Sequence, residues 1–148
     1  MLKVGDKLPD FSCYDDKDNL ITQDHFKNKK TVLFFYPRAN TPGCTAQACN
    51  LSENYSELTG AGYSIFGVSA DKVKHQSSFS NKFGFPYPLL ADTEKILING
   101  FGVWGSKKYQ GKEYDGIMRT TFIINENCVI VKVIDKVKTK DHTSQILD

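Results

Sequence analysis

Two cysteines five residues apart, Cys44 and Cys49, lie in a stretch that can be helical. Thr41 and Pro42 stand where a helix N-cap and the first helical position are expected, so Cys44 falls in the first turn. Free backbone amides and the positive end of the helix dipole favour a thiolate there. Since the thiolate is the nucleophilic form of cysteine, the pattern predicts a reactive thiol at Cys44.

The spacing of the two thiols is too long for a disulfide within an intact helix. Five helical residues span roughly 7.5 Å of rise and about 140° of rotation, which separates the Cα atoms by ~8.6 Å. A disulfide requires Cα atoms within about 7 Å of each other. Cys44 and Cys49 can therefore bridge only if the intervening turn opens, as expected of a reactive and a resolving cysteine rather than of a static cross-link.

The composition is that of one small domain, residues 1–148, with a formal net charge of +2. The lysine clusters are not interleaved with aromatic residues, so no nucleic-acid partner is predicted. No segment approaches the ~18 apolar residues of a membrane span. Since the N-terminal MLKVGDKLPDF also lacks an apolar signal region, we expect a cytoplasmic protein without a membrane partner.

Four cysteines in such a chain indicate redox or metal chemistry more than a disulfide framework. The sequence has no CxxC pair, and its three histidines lie far from the cysteines, so neither a metal site nor a cofactor is predicted. Cys13 and Cys128 fit no catalytic pattern. We interpret both as inert, packed thiols.

The element that must position Cys44 is the strand before it. Residues 31–36 are almost all β-branched or aromatic, which predicts a strand buried on both faces. Pro37 ends this strand because it has no N–H to donate to a neighbour. The helix that follows is expected over about 45–58.

The rest of the chain alternates strand and helix patterns. We expect an N-terminal hairpin (11–15 and 19–22), a second buried strand (63–70), a helix (72–83) capped by Asp71, a short strand (89–90), a brief helix capped by Asp92 or Thr93, a third buried strand (117–125) in a hairpin with 129–134, and a C-terminal helix from about 141. Residues 103–116 are interpreted as a loop, with Trp104 as its core anchor. This order predicts an α/β fold with a mixed central sheet, helices on both faces and an N-terminal β-hairpin.

The active-site stretch resembles the peroxiredoxin family. The family pattern Pro-x3-Thr-x2-Cys corresponds here to Pro37, Thr41 and Cys44, and the family's strand arginine corresponds to Arg119 in MRTTFIIN. The second cysteine at Cys49, together with FGVWG, YDG and RTTFIIN, is similar to the peroxiredoxin Q subgroup, also called bacterioferritin comigratory proteins. The similarity extends over nearly the whole chain.

This resemblance implies a thioredoxin-like fold and a thiol-dependent peroxidase of the atypical two-cysteine type, which reduces hydrogen peroxide and organic hydroperoxides. Cys44 would be the peroxidatic cysteine and Cys49 the resolving cysteine, joined in an intramolecular disulfide that thioredoxin reduces. Thr41 would hydrogen-bond the thiolate and the peroxide, and Pro37 would shield the pocket from water. Arg119, which keeps its charge at any physiological pH, would stabilise the thiolate and polarise the peroxide. The subgroup also implies a monomer.

Two other functions remain open on the sequence. A thiol–disulfide oxidoreductase on the same fold is one, although such proteins use a CxxC pair whose thiols lie close without unfolding. A non-catalytic redox-sensing or chaperone-like module is the other. Rapid loss of two free thiols on addition of peroxide would favour the peroxidase, and reduction of insulin would favour the oxidoreductase.

Overall fold

The computed structural model describes residues 1–148 apart from the side chain of Tyr109. The strands are β1 (Ser12–Asp15), β2 (Leu20–Thr22), β3 (Lys30–Phe35), β4 (Tyr63–Ser69), β5 (Leu89–Ala91), β6 (Trp104–Tyr109), β7 (Lys112–Ile117), β8 (Thr120–Ile124) and β9 (Ile130–Ile134). The helices are α1 (Pro42–Glu53), α2 (Tyr55–Gly60), α3 (Val73–Phe83), α4 (Ile96–Phe101) and α5 (His142–Leu147), with a 3₁₀ helix at Gln23–Phe26.

A seven-stranded mixed sheet, in the order β2-β1-β5-β4-β3-β8-β9, forms the centre of the fold. β3 and β4 are parallel and joined through α1 and α2, and β4 and β5 are parallel and joined through α3. β8 lies antiparallel to β3 on its other side and continues into the β8–β9 hairpin. The mixed sheet and the N-terminal β1–β2 hairpin are therefore as predicted.

Helices cover both faces of the central strand. The side chains of Val32, Phe34 and Tyr36 pack into one core cluster with residues of α1, α2, α3 and α5. Leu33 and Phe35 pack into a second cluster with residues of α4 and the 3₁₀ helix. All five side chains are fully buried, which confirms that this strand is covered on both faces.

The prediction of a loop over 103–116 is wrong, because these residues form the β6–β7 hairpin. β6 and β7 pair in register from Trp104 opposite Ile117 to the turn at Gln110 and Gly111, which both have positive φ. The strands were missed because their residues are largely polar and exposed, and because Gln-Gly is a weaker turn signal than Asn-Gly. Trp104 is not a core anchor either. Its side chain is 37% exposed, with Lys95 Nζ 4.5 Å from the ring centroid.

Three other boundaries differ from the sequence expectations. The helix expected over 45–58 is interrupted at Asn54, between α1 and α2. The strand expected from 117 begins at Thr120, because Ile117 pairs within the hairpin. Asp71 does not cap α3, whose N-cap position is Lys72. Asp92 does bind the start of α4, since its carboxylate accepts hydrogen bonds from the amides of Ile96 and Ile98 at 2.9 and 2.8 Å.

Candidate active site

Cys44 lies in the first turn of α1, directly after the buried strand β3. Pro42 is the first residue of the helix, where its missing N–H leaves no hydrogen bond unmade. The Cys44 side chain is only 1% exposed and packs in the same core cluster as Val32 and Phe34. The thiol therefore sits near the free amides of a helix N-terminus, largely shielded from bulk water.

Arg119, just before the start of the neighbouring strand β8, contacts the Cys44 sulfur. Its Nη2 donates a hydrogen bond to Cys44 Sγ at 3.2 Å, and its Nη1 donates to Gln47 Oε1 at 2.6 Å. Arg119 immediately precedes β8, and Thr120 pairs with Phe35 at the end of β3. The register of these two strands thus brings a guanidinium to a cysteine 75 residues away in the sequence.

Gln47 is a site residue that the sequence interpretation missed. It follows Cys44 by three residues on α1, so both side chains lie on one helix face. Gln47 is fully buried, and its Nε2 has no hydrogen-bond partner among the described residues. The glutamine carbonyl thus fixes the orientation of the guanidinium at Cys44. The three-residue spacing between Cys44 and Gln47 on a predicted helix was the sequence feature that could have identified Gln47 as a site residue.

Gly43 gives the guanidinium room to approach. A Cβ built at this position would lie 3.3 Å from Arg119 Nη2, closer than ordinary van der Waals contact. A side chain here would require the guanidinium to shift by a few tenths of an ångström, so glycine before the cysteine favours the contact with the sulfur.

Thr41 and Pro37 lie in the segment that enters the helix. Thr41 occupies the N-cap position with extended backbone, but its hydroxyl makes no capping bond and donates instead to the Arg38 carbonyl at 2.8 Å. The expected hydrogen bond to the sulfur is absent among the contacts of the described residues. Pro37 is half-buried and lines a cavity of about 530 Å³.

A buried polar network supports this entry segment. Asp71 Oδ2 accepts hydrogen bonds from the Ala39 amide at 2.8 Å and from Ser69 Oγ at 2.6 Å. Gln76 donates to Ser69 Oγ at 2.9 Å and accepts from the Tyr36 hydroxyl at 2.5 Å. Asp71 thus binds the active-site loop instead of capping a helix, a role that only the packing of β4 beside β3 creates.

Cys49 lies on the same unbroken helix as Cys44, and both thiols are free. Cys49 is half-buried, and burial together with the nearby Glu53 carboxylate raises its pKa above the ordinary value of a cysteine. It is therefore held as a protonated thiol near neutral pH. Because α1 is unbroken between them, helical geometry separates the two Cα atoms by ~8.6 Å, too far for a disulfide.

The other two cysteines lie away from Cys44. Cys13 and Cys128 both pack against the core cluster on the opposite face of the sheet. Burial, with smaller contributions from Asp92 and Asp15, raises the pKa of Cys13 to about 12. Cys128 occupies a turn with φ of 61°, a conformation that usually selects glycine. The environment of Cys13 therefore does not favour a nucleophilic thiol.

Lys107 is a second cation that the sequence interpretation missed. It lies on β6, and its Nζ donates to the Ile117 carbonyl at 2.9 Å. Its pKa is lowered by burial and by the positive charge of Arg119, and this is partly offset by Cys44. Lys107 also lines the cavity that contains Pro37. The neighbouring Lys108 side chain is largely exposed. Because side chains alternate between the two faces of a strand, the position of each lysine along β6 decides which one approaches the site.

Neither a metal site nor a membrane span is evident in the part of the chain that the structure describes. No group of three or more His, Cys, Asp or Glu side chains is placed to bind an ion. No described helix combines the length and apolar character that crossing a bilayer requires.

Comparison with known proteins gives consistent matches over the whole chain. The model of the AhpC/TSA family matches residues 4–133. Peroxiredoxin Bcp of Escherichia coli strain K12 is 40% identical over 147 residues, covering 99% of this chain and 94% of that protein.

Solved structures agree with this family match. A cysteine-to-serine mutant of PrxQ from Xylella fastidiosa superimposes with a TM-score of 0.93 at 30% identity, covering 99% of this chain and 94% of that one. The bacterioferritin comigratory protein of Xanthomonas campestris, studied for alkyl peroxide reduction activity, gives a TM-score of 0.86 at 32% identity, covering 93% of this chain and 87% of that one. These likenesses confirm the thioredoxin-like fold that the sequence predicted.

Proposed function

The chain belongs to the AhpC/TSA family and is a peroxiredoxin, a thiol-dependent peroxidase, and on this premise we propose that Cys44 is its peroxidatic cysteine. The observation that carries the proposal is the 3.2 Å contact from Arg119 Nη2 to Cys44 Sγ in the first turn of a helix. A guanidinium stays charged in proteins, so it provides fixed positive charge and a directed donor beside the sulfur. Among the described residues, no lysine or arginine donates a hydrogen bond to any of the other three cysteines.

The first step oxidises Cys44. Its thiolate attacks one peroxide oxygen, and a sulfur–oxygen bond forms as the oxygen–oxygen bond breaks. The product is a sulfenic acid, and the departing hydroxide or alkoxide takes up a proton to give water or an alcohol. Arg119 favours this step because its donors lie where negative charge moves from sulfur to oxygen.

Cys49 then resolves the sulfenic acid. Its sulfur attacks Cys44, a disulfide forms, and the sulfenic oxygen leaves as water. The two sulfurs meet only after the turn of α1 between them opens, because an intact helix holds their Cα atoms ~8.6 Å apart. Thioredoxin, with glutaredoxin as the alternative dithiol donor, reduces the disulfide by thiol–disulfide exchange and closes the cycle.

Thr41 and Pro37 complete the proposed site. Thr41 would bind the peroxide after its hydroxyl turns away from the Arg38 carbonyl, to which it donates a hydrogen bond of 2.8 Å. Pro37 covers the approach to the sulfur with a ring that has no hydrogen-bond donor. Both assignments follow the family pattern, and each is testable by substitution.

Hydrogen peroxide and organic hydroperoxides are the proposed substrates. A cavity of about 530 Å³ is lined by Pro37, Arg38 and Lys107, although not by Cys44 itself, and a related protein was studied for alkyl peroxide reduction. We also propose a monomer, which the similarity to the peroxiredoxin Q subgroup supports. The cytoplasm is the proposed location because thiols stay reduced there and the proposed cycle starts from a free thiol at Cys44.

The decisive experiment counts free thiols after addition of hydrogen peroxide to the reduced protein. The wild type should lose two per chain rapidly, and Cys44→Ser should lose none at a comparable rate, because a hydroxyl is not ionised near neutral pH. Cys13→Ser and Cys128→Ser serve as matched controls and should react as the wild type does. Peroxide consumption by Cys44→Ser within tenfold of the wild-type rate would refute the assignment.

A further inference from the structure

The Tyr87 hydroxyl donates a hydrogen bond of 2.6 Å to the backbone carbonyl of Ala48, in the middle of α1. Ala48 lies between Cys44 and Cys49, in the turn that must open for the two sulfurs to meet. Tyr87 belongs to the segment that precedes β5, and its side chain is only 3% exposed. A side chain from outside the helix therefore binds the peptide group whose movement resolution requires.

The ring of Tyr87 is held independently of this hydrogen bond. It stacks on Phe85 with centroids 5.5 Å apart and meets Phe34 edge-on at 5.7 Å. Burial raises the pKa of Tyr87 well above the ordinary value of a tyrosine, so the hydroxyl stays protonated and remains a donor. The hydrogen bond is therefore made by a side chain fixed in the packed core and not by a mobile surface side chain.

The far end of the same turn is fastened to α5. Asn50 Oδ1 accepts hydrogen bonds from the Thr143 amide and from the Thr143 hydroxyl, both at 2.8 Å. Asn50 Nδ2 donates to the Lys140 carbonyl at 3.1 Å. Because these bonds tie residue 50 to α5, we expect the opening to involve mainly the peptide groups between Cys44 and Cys49, and the Ala48 carbonyl is among them.

We propose that Tyr87 is a positioning residue that holds the Ala48 turn of α1 closed and thereby sets the partition of oxidised Cys44 between resolution and over-oxidation. The inference rests on the proposed function, in which Cys44 forms the sulfenic acid and Cys49 resolves it. Two reactions compete for that acid. Attack by the Cys49 sulfur gives the disulfide and releases water, whereas a second hydroperoxide transfers an oxygen to give the sulfinic acid and releases water or an alcohol.

Tyr87→Phe tests the inference, because it removes the hydroxyl and keeps the stacked ring. A neutral hydrogen bond of this kind shifts a two-state equilibrium by about twofold to tenfold. Disulfide formation should therefore accelerate by that factor, and the sulfinic fraction at a fixed peroxide excess should fall correspondingly. The rate of the first oxidation step should match that of the wild type, since the Cys44–Arg119 contact is not altered. Rapid quenching with a thiol-blocking reagent, followed by intact mass measurement, distinguishes the reduced thiol, the disulfide and the sulfinic acid.

Tyr55→Phe is the matched control. Tyr55 lies on α2 with its ring centroid 6.4 Å from that of Tyr87, and its hydroxyl makes no hydrogen bond to another described residue. This variant should resolve at the wild-type rate. A general loosening of the aromatic cluster would accelerate both variants equally, and that result would overturn the specific role of Tyr87.

Failure of the inference and failure of the proposed function give different results. If the wild type forms no Cys44–Cys49 disulfide, the resolving role of Cys49 is wrong. If the disulfide forms but Tyr87→Phe resolves no faster than the wild type, the role of Tyr87 is wrong. Amide exchange in the reduced protein gives a second test: residues 45–49 should exchange about twofold to tenfold faster in Tyr87→Phe, with β3 unchanged. Equal exchange at 45–49 would also reject the role.

Discussion

Replacing Arg119 by alanine tests the contact on which the proposed chemistry depends. The substitution removes the 3.2 Å donor to Cys44 Sγ and the 2.6 Å donor to Gln47 Oε1 together. It also removes the fixed positive charge from a site where the cysteine is 1% exposed and water screens poorly. Both the attacking thiolate and the transition state should therefore lose stabilisation.

The expected loss is about 100-fold in the rate constant of Cys44 oxidation, in the range measured when one directed donor is removed from a catalytic site. This corresponds to about 2.7 kcal/mol of transition-state stabilisation. Arg119→Lys should fall between alanine and wild type, because an ammonium keeps the charge but cannot reproduce the planar fork that reaches Cys44 and Gln47 at once. Arg119→Ala therefore reports the combined effect of losing the positive charge and the guanidinium geometry. Arg119→Lys keeps the charge and so reports the effect of the geometry alone.

Single-turnover stopped flow with hydrogen peroxide in excess measures the oxidation step directly, without the reductant. Lys108→Ala is the surface control: its Nζ is 3.7 Å from the Glu113 carboxylate, and both side chains are largely exposed, so its loss should leave the rate unchanged. Far-UV circular dichroism checks that each variant is folded. An Arg119→Ala rate within threefold of the wild type would refute the reasoning, because the guanidinium would then be only a structural link to Gln47.

Three further predictions follow from the site and its surroundings. Lys107→Met should slow Cys44 oxidation by roughly threefold to tenfold because it removes a partly buried positive charge near the sulfur, whereas Lys108→Met should not; equal oxidation rates in the two variants would contradict this effect of Lys107. Glu53→Gln should lower the pKa of Cys49, because it removes the nearby like charge, and should accelerate disulfide formation at neutral pH relative to the wild type, as rapid-quench mass measurement would detect. Burial holds the pKa of Cys13 at about 12 against 9.0 for a free thiol, so the unfolded chain releases this proton first as pH rises; the free energy of unfolding should decrease between pH 9 and 12, and less steeply in Cys13→Ala, as denaturant titrations at each pH would measure.

The placement of Cys44 could be predicted because its cause is local. A run of β-branched and aromatic residues, a proline that ends the strand and a second proline at the helix start each constrain the backbone near their own position. The structure accordingly has β3 at Lys30–Phe35 and Cys44 in the first turn of α1. Family resemblance added Arg119, which the spacing alone does not single out.

The β6–β7 hairpin could not be predicted, because the sequences of its two strands lack the alternation of apolar and polar residues that indicates a β-strand. Its strands carry mainly lysine, glutamate, serine and glycine, and several of these side chains are exposed. Gly116 illustrates the dependence on pairing: a Cβ there would lie 3.3 Å from Lys107 Cδ on the opposite strand. That requirement exists only once the hairpin has formed, so no residue pattern within 103–116 indicates it.

The sequence by itself indicated the strand–helix unit that carries Cys44 and the approximate positions of most helices and strands of the core. Those features depend on backbone preferences and on periods of two and 3.6 residues, which neighbouring residues encode. The tertiary structure alone decided which side chains meet: Arg119 and Gln47 at Cys44, Lys107 rather than Lys108 toward the site, and the Tyr87 hydroxyl at Ala48. These contacts depend on strand order, register and packing between elements far apart in the chain, and a shift of one residue in the β3–β8 register would turn each side chain of the strand to the other face.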